Sequence, residues 1–222
     1  MTEILPGVHQ IDGVGSSPEF SFHLYLVKDP GTTWTLIDTG LPGTEHVIAE
    51  YLKQHDIAPS LVSKILLTHL HRDHTGSLKA VAKLTHAKSF AHWLEAAYIL
   101  CDPPYTGPGT PPAEPFDVSE RLKDGDTVDA AGGLVAYHTP GHTPGHTAYY
   151  HPERKILFSG DLFFGLGGKL SLTPKEYTHD SSCAIISARH VARLPIESLL
   201  TYHGGPFLKG AGAPVRALAT SL

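Results

Sequence analysis

Four separate apolar runs in this chain each stop at a side chain able to hold a metal ion. Ile65-Leu66-Leu67 leads into His69-Leu70-His71-Arg72-Asp73-His74, and Val135-Ala136-Tyr137 leads through Thr139-Pro140-Gly141 to His142. Ile156-Leu157-Phe158 runs into Ser159-Gly160-Asp161, and Leu199-Leu200-Thr201-Tyr202 into His203-Gly204. Apolar runs this short, bounded by small and turn-forming residues, read as strands. If the four strand ends share one rim, His69, His71, Asp73, His74, His142, Asp161 and His203 converge there. Imidazole and carboxylate together suit zinc, iron or manganese, with no thiolate needed. Chance histidines on a surface helix would leave the fourfold recurrence unexplained.

Spacing adds detail to the first of these places. His69 and His71 are two apart, so in extended backbone they share a side. Asp73 and His74 come after a tighter turn and can address a second ion. Gly76 is small enough for a sharp passage into a helix, with Ser77 as its expected cap.

Along the rest of the chain, strands are expected at residues 7–11, 22–27 and 33–37, with Asp29-Pro30-Gly31 as the turn before the third. Helical periodicity covers 44–55, a short strand 64–67, a helix the residues from 77, a strand 88–91 and a helix 92–100. Strands return at 127–129, 134–138, 147–150 and 155–158, followed by a helix at 179–193 and a strand at 198–202. This repeated order fits an α/β architecture with helices outside two packed sheets better than a single parallel sheet. Residues 1–222 are expected to form one domain. The proline-dense segment 101–116, CDPPYTGPGTPPAEPF, departs from that plan as a plain loop or as a wall over a site.

Composition excludes several classes. The net charge is −5, and no Lys/Arg run resembles a phosphate-tracking face, so nucleic acid is not an expected partner. The two cysteines, Cys101 and Cys183, show no paired spacing and no disulfide framework. No stretch approaches the roughly 18 apolar residues of a membrane span. The start, MTEILPGVHQI, lacks a basic segment followed by an apolar one, so a cytoplasmic location is expected. Sequence does not fix the oligomeric state, and a homodimer is compatible with it.

The combination of His69-Leu-His-Arg-Asp-His74, Gly141-His142-Thr143, Gly160-Asp161 and His203-Gly204 resembles the signature of the metallo-β-lactamase-fold hydrolases. Asp38-Thr39-Gly40 is similar to their usual upstream element, and the likeness extends from about residue 7 to 206. It implies a four-layer αββα sandwich of two mixed β-sheets flanked by helices. It also implies that His69, His71 and His142 hold one divalent metal ion, that Asp73, His74 and His203 hold a second, and that Asp161 bridges them. Zinc is the expected metal, with iron or manganese as alternatives. Asp38 is then a partner that orients the histidines, and His146, in the second Pro-Gly-His, a further neighbour. The implied chemistry is attack on an acyl carbonyl by a water whose pKa two ions lower to about 7, with Asp73 and Asp161 as the catalytic carboxylates.

Within the family, Thr139-Pro-Gly-His-Thr-Pro-Gly-His146-Thr and Ser159-Gly-Asp-Leu-Phe-Phe-Gly-Leu-Gly-Gly-Lys169 are similar to the hydroxyacylglutathione hydrolase group, which implies a thioester substrate. In that group a lysine in the place of Lys169 helps hold the glutathione carboxylate. Those enzymes continue into a C-terminal helical region with further basic contacts. Only nineteen residues follow His203 here, so weaker or different thiol recognition is expected. A lactonase or carboxylesterase is the alternative, with Trp93, Tyr105, Phe163 and Phe164 as candidate walls of an acyl pocket, alongside Phe90, His92, Tyr98, Ile99 and Phe116. A β-lactamase, a mononuclear iron persulfide dioxygenase and a metal-stabilised binding module without turnover are further alternatives.

Overall fold

The computed structural model describes residues 2–13 and 21–222. Seven strands form the first sheet in sequential order: β1 (Thr2–Leu5), β2 (Val8–Ile11), β3 (Leu24–Lys28), β4 (Trp34–Ile37), β5 (Val62–Leu66), β6 (Lys88–His92) and β7 (Glu120–Leu122). β1 to β4 pair antiparallel, whereas β4 to β7 pair parallel. Helices α1 (Glu45–Gln54), α2 (Arg72–Thr75), α3 (Leu78–Thr85) and α4 (Trp93–Ile99) lie in the connections between the parallel strands.

Six further strands build the second sheet: β8 (Thr127–Val128), β9 (Leu134–His138), β10 (Thr147–His151), β11 (Ile156–Gly160), β14 (Ser198–Thr201) and β15 (Pro206–Phe207). Their spatial order is β15-β14-β11-β10-β9-β8, with only β11 and β14 parallel. A separate hairpin, β12 (Phe163–Leu166) and β13 (Lys169–Leu172), precedes α5 (Ser181–Val191), and α6 (Gly212–Ser221) follows β15.

The period-2 alternation of side chains explains the layering. On β3, Leu24 and Leu26 pack with Ile48 and Leu52 of α1, while Tyr25 and Val27 face Ala136, Tyr149 and Phe158 of the other sheet. On β11, Ile156 and Phe158 point into that intersheet core and Leu157 points to the opposite side, with Ala188 and Val191 of α5 and Val215 of α6. Both sheets are thus apolar on both faces, which a sheet requires only when helices cover its outer side. The result is the four-layer αββα sandwich. Each fully buried Leu, Ile or Phe in these three cores contributes roughly 1.5–3 kcal/mol relative to exposure.

Two expectations about local structure need a different physical reason. Ser77 does sit at the N-cap of α3, but its hydroxyl makes no cap bond; it donates to Leu41 O at 2.7 Å and Glu45 Oε2 at 2.8 Å. Gly76 has ordinary helical φ. It is needed because a Cβ there would lie 2.4 Å from the Arg72 carbonyl and from Pro42.

The proline-dense segment folds back on the rim as a wall. The Arg72 N–H donates to the Thr110 carbonyl at 3.1 Å, and the Phe116 N–H donates to Ile99 O. Among the described residues, no helix is long and apolar enough to cross a membrane.

Candidate metal centre

The segments after β5, β9, β11 and β14 meet at one rim of the sandwich, and they carry all seven donors, Asp73 and His74 from the short helix α2 and the other five from loops. Nε2 of His69, Nδ1 of His71 and Nε2 of His142 form a triangle with edges of 3.1, 2.9 and 3.0 Å. Of the three contacts among buried imidazole nitrogens that crowd one point, at most one can be a real hydrogen bond, because each nitrogen has a single hydrogen or a single lone pair. A shared cation satisfies all three, since nitrogens about 2.0–2.1 Å from a tetrahedral ion stand about 3.3 Å apart. Asp73, His74, Asp161 and His203 form a second group whose donor atoms lie within 4.8 Å of one another. Asp161 connects the two groups. Its Oδ2 lies 3.2 Å from His203 Nε2 and 3.5 Å from His142 Nε2, and its Oδ1 lies 3.3 Å from His74 Nε2.

Two buried atoms in this cluster, His74 Nε2 and Asp161 Oδ1, face each other at 3.3 Å without the geometry of a hydrogen bond. Orphaned buried polar atoms are costly, about 1–3 kcal/mol each, and their convergence is the signature of a ligand that completes them. The donor sets, three imidazoles in one group and two imidazoles with two carboxylates in the other, fit a pair of divalent ions.

Electrostatics separate the two groups. Burial, reinforced by neighbouring imidazoles, lowers the pKa of His69 and His142 well below the ordinary value, and burial also lowers that of His71. All three favour the neutral form that a metal requires. His74 and His203 are buried too, but the aspartates outweigh that effect. Asp161, Asp73 and Asp38 raise His74 well above its usual value, and Asp161 with Asp73 raises His203 to about 8. Reciprocally, although burial opposes it, the pKa of Asp161 falls well below the carboxylate range beside His203 and His74.

A shell of hydrogen bonds sets which imidazole nitrogen faces inward. Nδ1–H of His74 donates to Asp38 Oδ2 at 2.9 Å, which turns Nε2 toward the carboxylates. Asp38 also accepts the Thr68 N–H and hydroxyl, each at 2.8 Å. Nε2–H of His71 donates to the Pro108 carbonyl at 3.0 Å, leaving Nδ1 for the triangle. His146 accepts the Asp161 N–H on Nε2 at 3.1 Å and pairs through Nδ1 with Thr139 Oγ1 at 2.8 Å. Burial depresses its pKa to about 3, so it stays neutral and keeps that acceptor. The hairpin β12–β13 seats His203: the Gly165 N–H donates to the His203 carbonyl at 2.9 Å. Gly204, at φ +88°, passes so close that a Cβ would overlap the Gly165 carbonyl.

A cavity of about 310 Å³ opens over the donors. Phe22, Leu41, Gly109, Thr110, Phe164 and Tyr177 line it together with His71, Asp73, His142, Asp161 and His203. Of the aromatic residues expected as walls, Phe164 alone lines it, with its ring centroid 4.4 Å from that of His203. Phe163 points the other way, into the core beneath α5, as strand alternation requires. Trp93 is half exposed on α4 beside His92. Tyr105 packs behind the site, 5.8 Å from His71 and 5.4 Å from Tyr98. Phe90, Tyr98 and Phe116 pack against the sheet cores. Lys169 lies on β13 in a separate surface groove with Phe207, Pro214 and Leu218, so it does not line the cavity.

Sequence reasoning missed Phe22, Leu41, Thr110 and Tyr177, and it also missed Glu95. That carboxylate is fully buried and accepts the N–H groups of Leu70 and Gly145, each at 2.7 Å. Burial pushes it up to about 7. Its one sequence signal is an acid among apolar residues at the start of α4, where a solvated helix face is the ordinary explanation.

Comparison with known proteins agrees with this architecture. The sequence matches the Metallo-beta-lactamase superfamily over residues 23–204. It is 34% identical over 142 residues to a hydroxyacylglutathione hydrolase of Pseudomonas aeruginosa, an alignment covering 62% of this chain and 47% of that protein. The chain therefore spans about half the length of that relative. A probable metallo-hydrolase of Bacillus subtilis, YflN, is 26% identical over 218 residues, covering 83% of this chain and 81% of its own. In fold, a metallo-beta-lactamase family protein of Thermus thermophilus superposes with a TM-score of 0.76 at 24% identity, covering 99% of this chain and 79% of its own.

Proposed function

The chain belongs to the metallo-beta-lactamase superfamily, and from that premise we propose that it hydrolyses an acyl compound, in the first place a thioester. The observation that carries this reading is the convergence of seven donors, in two groups joined by Asp161, on the floor of one cavity. Two divalent ions held by these residues would acidify a water and polarise the carbonyl oxygen, and the donor set suits zinc.

The protein's own groups do the rest. His69, His71 and His142 present neutral nitrogens, and Asp73 and Asp161 present carboxylates beside His74 and His203, whose imidazoles shed their protons to an entering ion. Asp73 is the carboxylate with the most solvent access, its side chain 21% exposed, and it lines the cavity. Its carboxylate is the group placed to orient an attacking water and hold its proton. Asp161 is pinned through its backbone by His146 and so keeps both carboxylate oxygens aimed at the two groups. Phe22, Leu41, Phe164 and Tyr177 exclude water and take up an apolar acyl chain. On this reading residues 1–222 act as one domain on a small molecule, without nucleic acid.

The likeness to the hydroxyacylglutathione hydrolase of Pseudomonas aeruginosa supports the thioester. A second reading, hydrolysis of a neutral ester or lactone, is favoured by one observation: no Lys or Arg is among the described residues lining the cavity. A glutathione thioester carries carboxylates that such a wall leaves unpaired.

The deciding experiment is the ratio of kcat/KM for a short hydroxyacyl-glutathione thioester to that for an acyl-homoserine lactone. Both are measured on one preparation of known metal content, with a chelated control. A ratio above about one hundred, roughly 2.7 kcal/mol of differential transition-state binding, supports the thioester. A ratio below one moves the assignment to the oxygen ester. Full metal loading without turnover of either substrate overturns acyl hydrolysis.

A further inference from the structure

We propose that Glu95 is a positioning residue that holds the three-histidine group in register by clamping its two source loops together; the inference rests on the metal reading above. Leu70, whose N–H binds Glu95 Oε2, stands between His69 and His71. Gly145, whose N–H binds Oε1, stands in the short loop between His142 and His146. The first loop belongs to one sheet and the second to the other. One carboxylate on α4 therefore spans the seam between the sheets at the level where the triangle of nitrogens forms.

Three observations separate this role from ordinary packing. Glu95 is fully buried, and no cation is among the groups that set its ionisation. A side chain serving only to fill that space would be apolar, because a buried carboxyl without a counter-ion is costly. Second, both carboxylate oxygens are used, each at 2.7 Å, on N–H groups that would otherwise be buried donors without an acceptor. Third, the fit leaves no slack at the far end. A Cβ at position 145 would lie 2.9 Å from Glu95 Cγ, its backbone N and Oε1, so the sequence needs glycine there. Partners that orient metal ligands without touching the metal change metal affinity by about 10–100-fold when removed.

Glu95→Gln tests the clamp with little change of volume. Glutamine keeps one acceptor oxygen and turns an NH2 group toward the other N–H, so one of the two ties is lost. Ion affinity at each group is measured by chelator competition. Cobalt(II) absorption distinguishes the imidazole-rich group from the carboxylate-rich one. The expected result is a tenfold or greater loss at the His69/His71/His142 group, with the Asp73/His74/Asp161/His203 group held within about twofold. Equal loss at both groups, or no loss at either, overturns the proposal.

A wild-type chain that takes up no ion overturns the metal reading and this inference with it. Two ions bound by wild type and an insensitive Glu95→Gln overturn this inference alone. If the variant does not fold, amide hydrogen exchange of metal-free wild type decides. Leu70 and Gly145 amides as slow as those of β5 support the clamp, and fast exchange at either one overturns it.

Discussion

Asp38 and His74 meet at 2.9 Å across 36 residues of sequence, and neither side chain is open to solvent. Asp38 adopts φ +60°, a left-handed conformation that a short polar side chain tolerates. That turn aims one oxygen at the Thr68 N–H and the other at both the Thr68 hydroxyl and His74. The strand end before the metal centre and the imidazole within it are thus fixed by one carboxylate.

Asp38→Asn should therefore fold and yet damage the second group. Asparagine accepts the same backbone angle and can still accept the Thr68 N–H. Its NH2 faces His74 Nδ1 and favours the tautomer with a proton on Nε2, the atom aimed at Asp73 and Asp161. Ion affinity there should fall about 10–100-fold, and unfolding free energy by about 1–3 kcal/mol. Chelator competition and denaturant titration check the two parts. Unchanged affinity would rule out an orienting role for Asp38.

Gly109 ties the proline-dense segment to the site. It sits at φ +87°, and a Cβ there would lie 2.4 Å from Nε2 of His71, the atom that donates to Pro108 O. Gly109→Ala should cost roughly 1–2 kcal/mol in backbone strain and displace the His71 ring. The larger effect falls on turnover: kcat/KM should drop about tenfold or more, with a smaller change in melting temperature. Equal turnover would mean that the segment yields without moving His71.

The fate of the aromatic residues shows how far the sequence could be read. Strand ends carrying ligands were legible because four independent runs repeated one pattern, and the alternation of β3 and β11 made two covered sheets readable. Which aromatic ring faces the cavity was not. Phe163 and Phe164 are neighbours on β12 and point oppositely, and sequence alone does not say which face of an unrecognised hairpin is wet. The hairpin itself went unread because Gly165, Gly167 and Gly168 dilute its pattern. Lys169 looked like a substrate contact from motif position alone, and the two-residue turn that carries it away from the cavity depends on that same hairpin. Glu95 is the reverse case, an ordinary helix acid in sequence that becomes a buried strut once both sheets are assembled.

Phe164 and Lys169 can be set against each other experimentally. Phe164→Ala removes a cavity wall and should lower kcat/KM for an acyl-chain substrate about tenfold, in line with about 1.5 kcal/mol of lost apolar burial. Lys169→Ala should leave kcat/KM within about twofold for both neutral and glutathione-bearing substrates, since its groove is separate. A selective loss on the glutathione substrate would show that Lys169 reaches the substrate after all.

The two ion-binding groups should respond differently to pH. In the metal-free protein the neighbouring aspartates raise His203 to about 8, and they raise His74 well above its ordinary value. Protonation of these histidines stabilises the metal-free fold. That contribution is fully present below the unfolded value of about 6.5 and is lost as pH rises through about 8 for His203. An ion entering this group must displace those protons, so its affinity should climb about tenfold per pH unit for each proton displaced between pH 6.5 and 8. His69, His71 and His142 have lowered values and are already neutral at pH 7, so the affinity of their group should stay nearly flat over the same interval. From pH 6.5 to pH 8 the affinity of the Asp73/His74/Asp161/His203 group should therefore rise relative to that of the three-histidine group. Chelator competition at half-unit steps measures both curves. Parallel slopes would show that the carboxylates do not hold protons on His74 and His203.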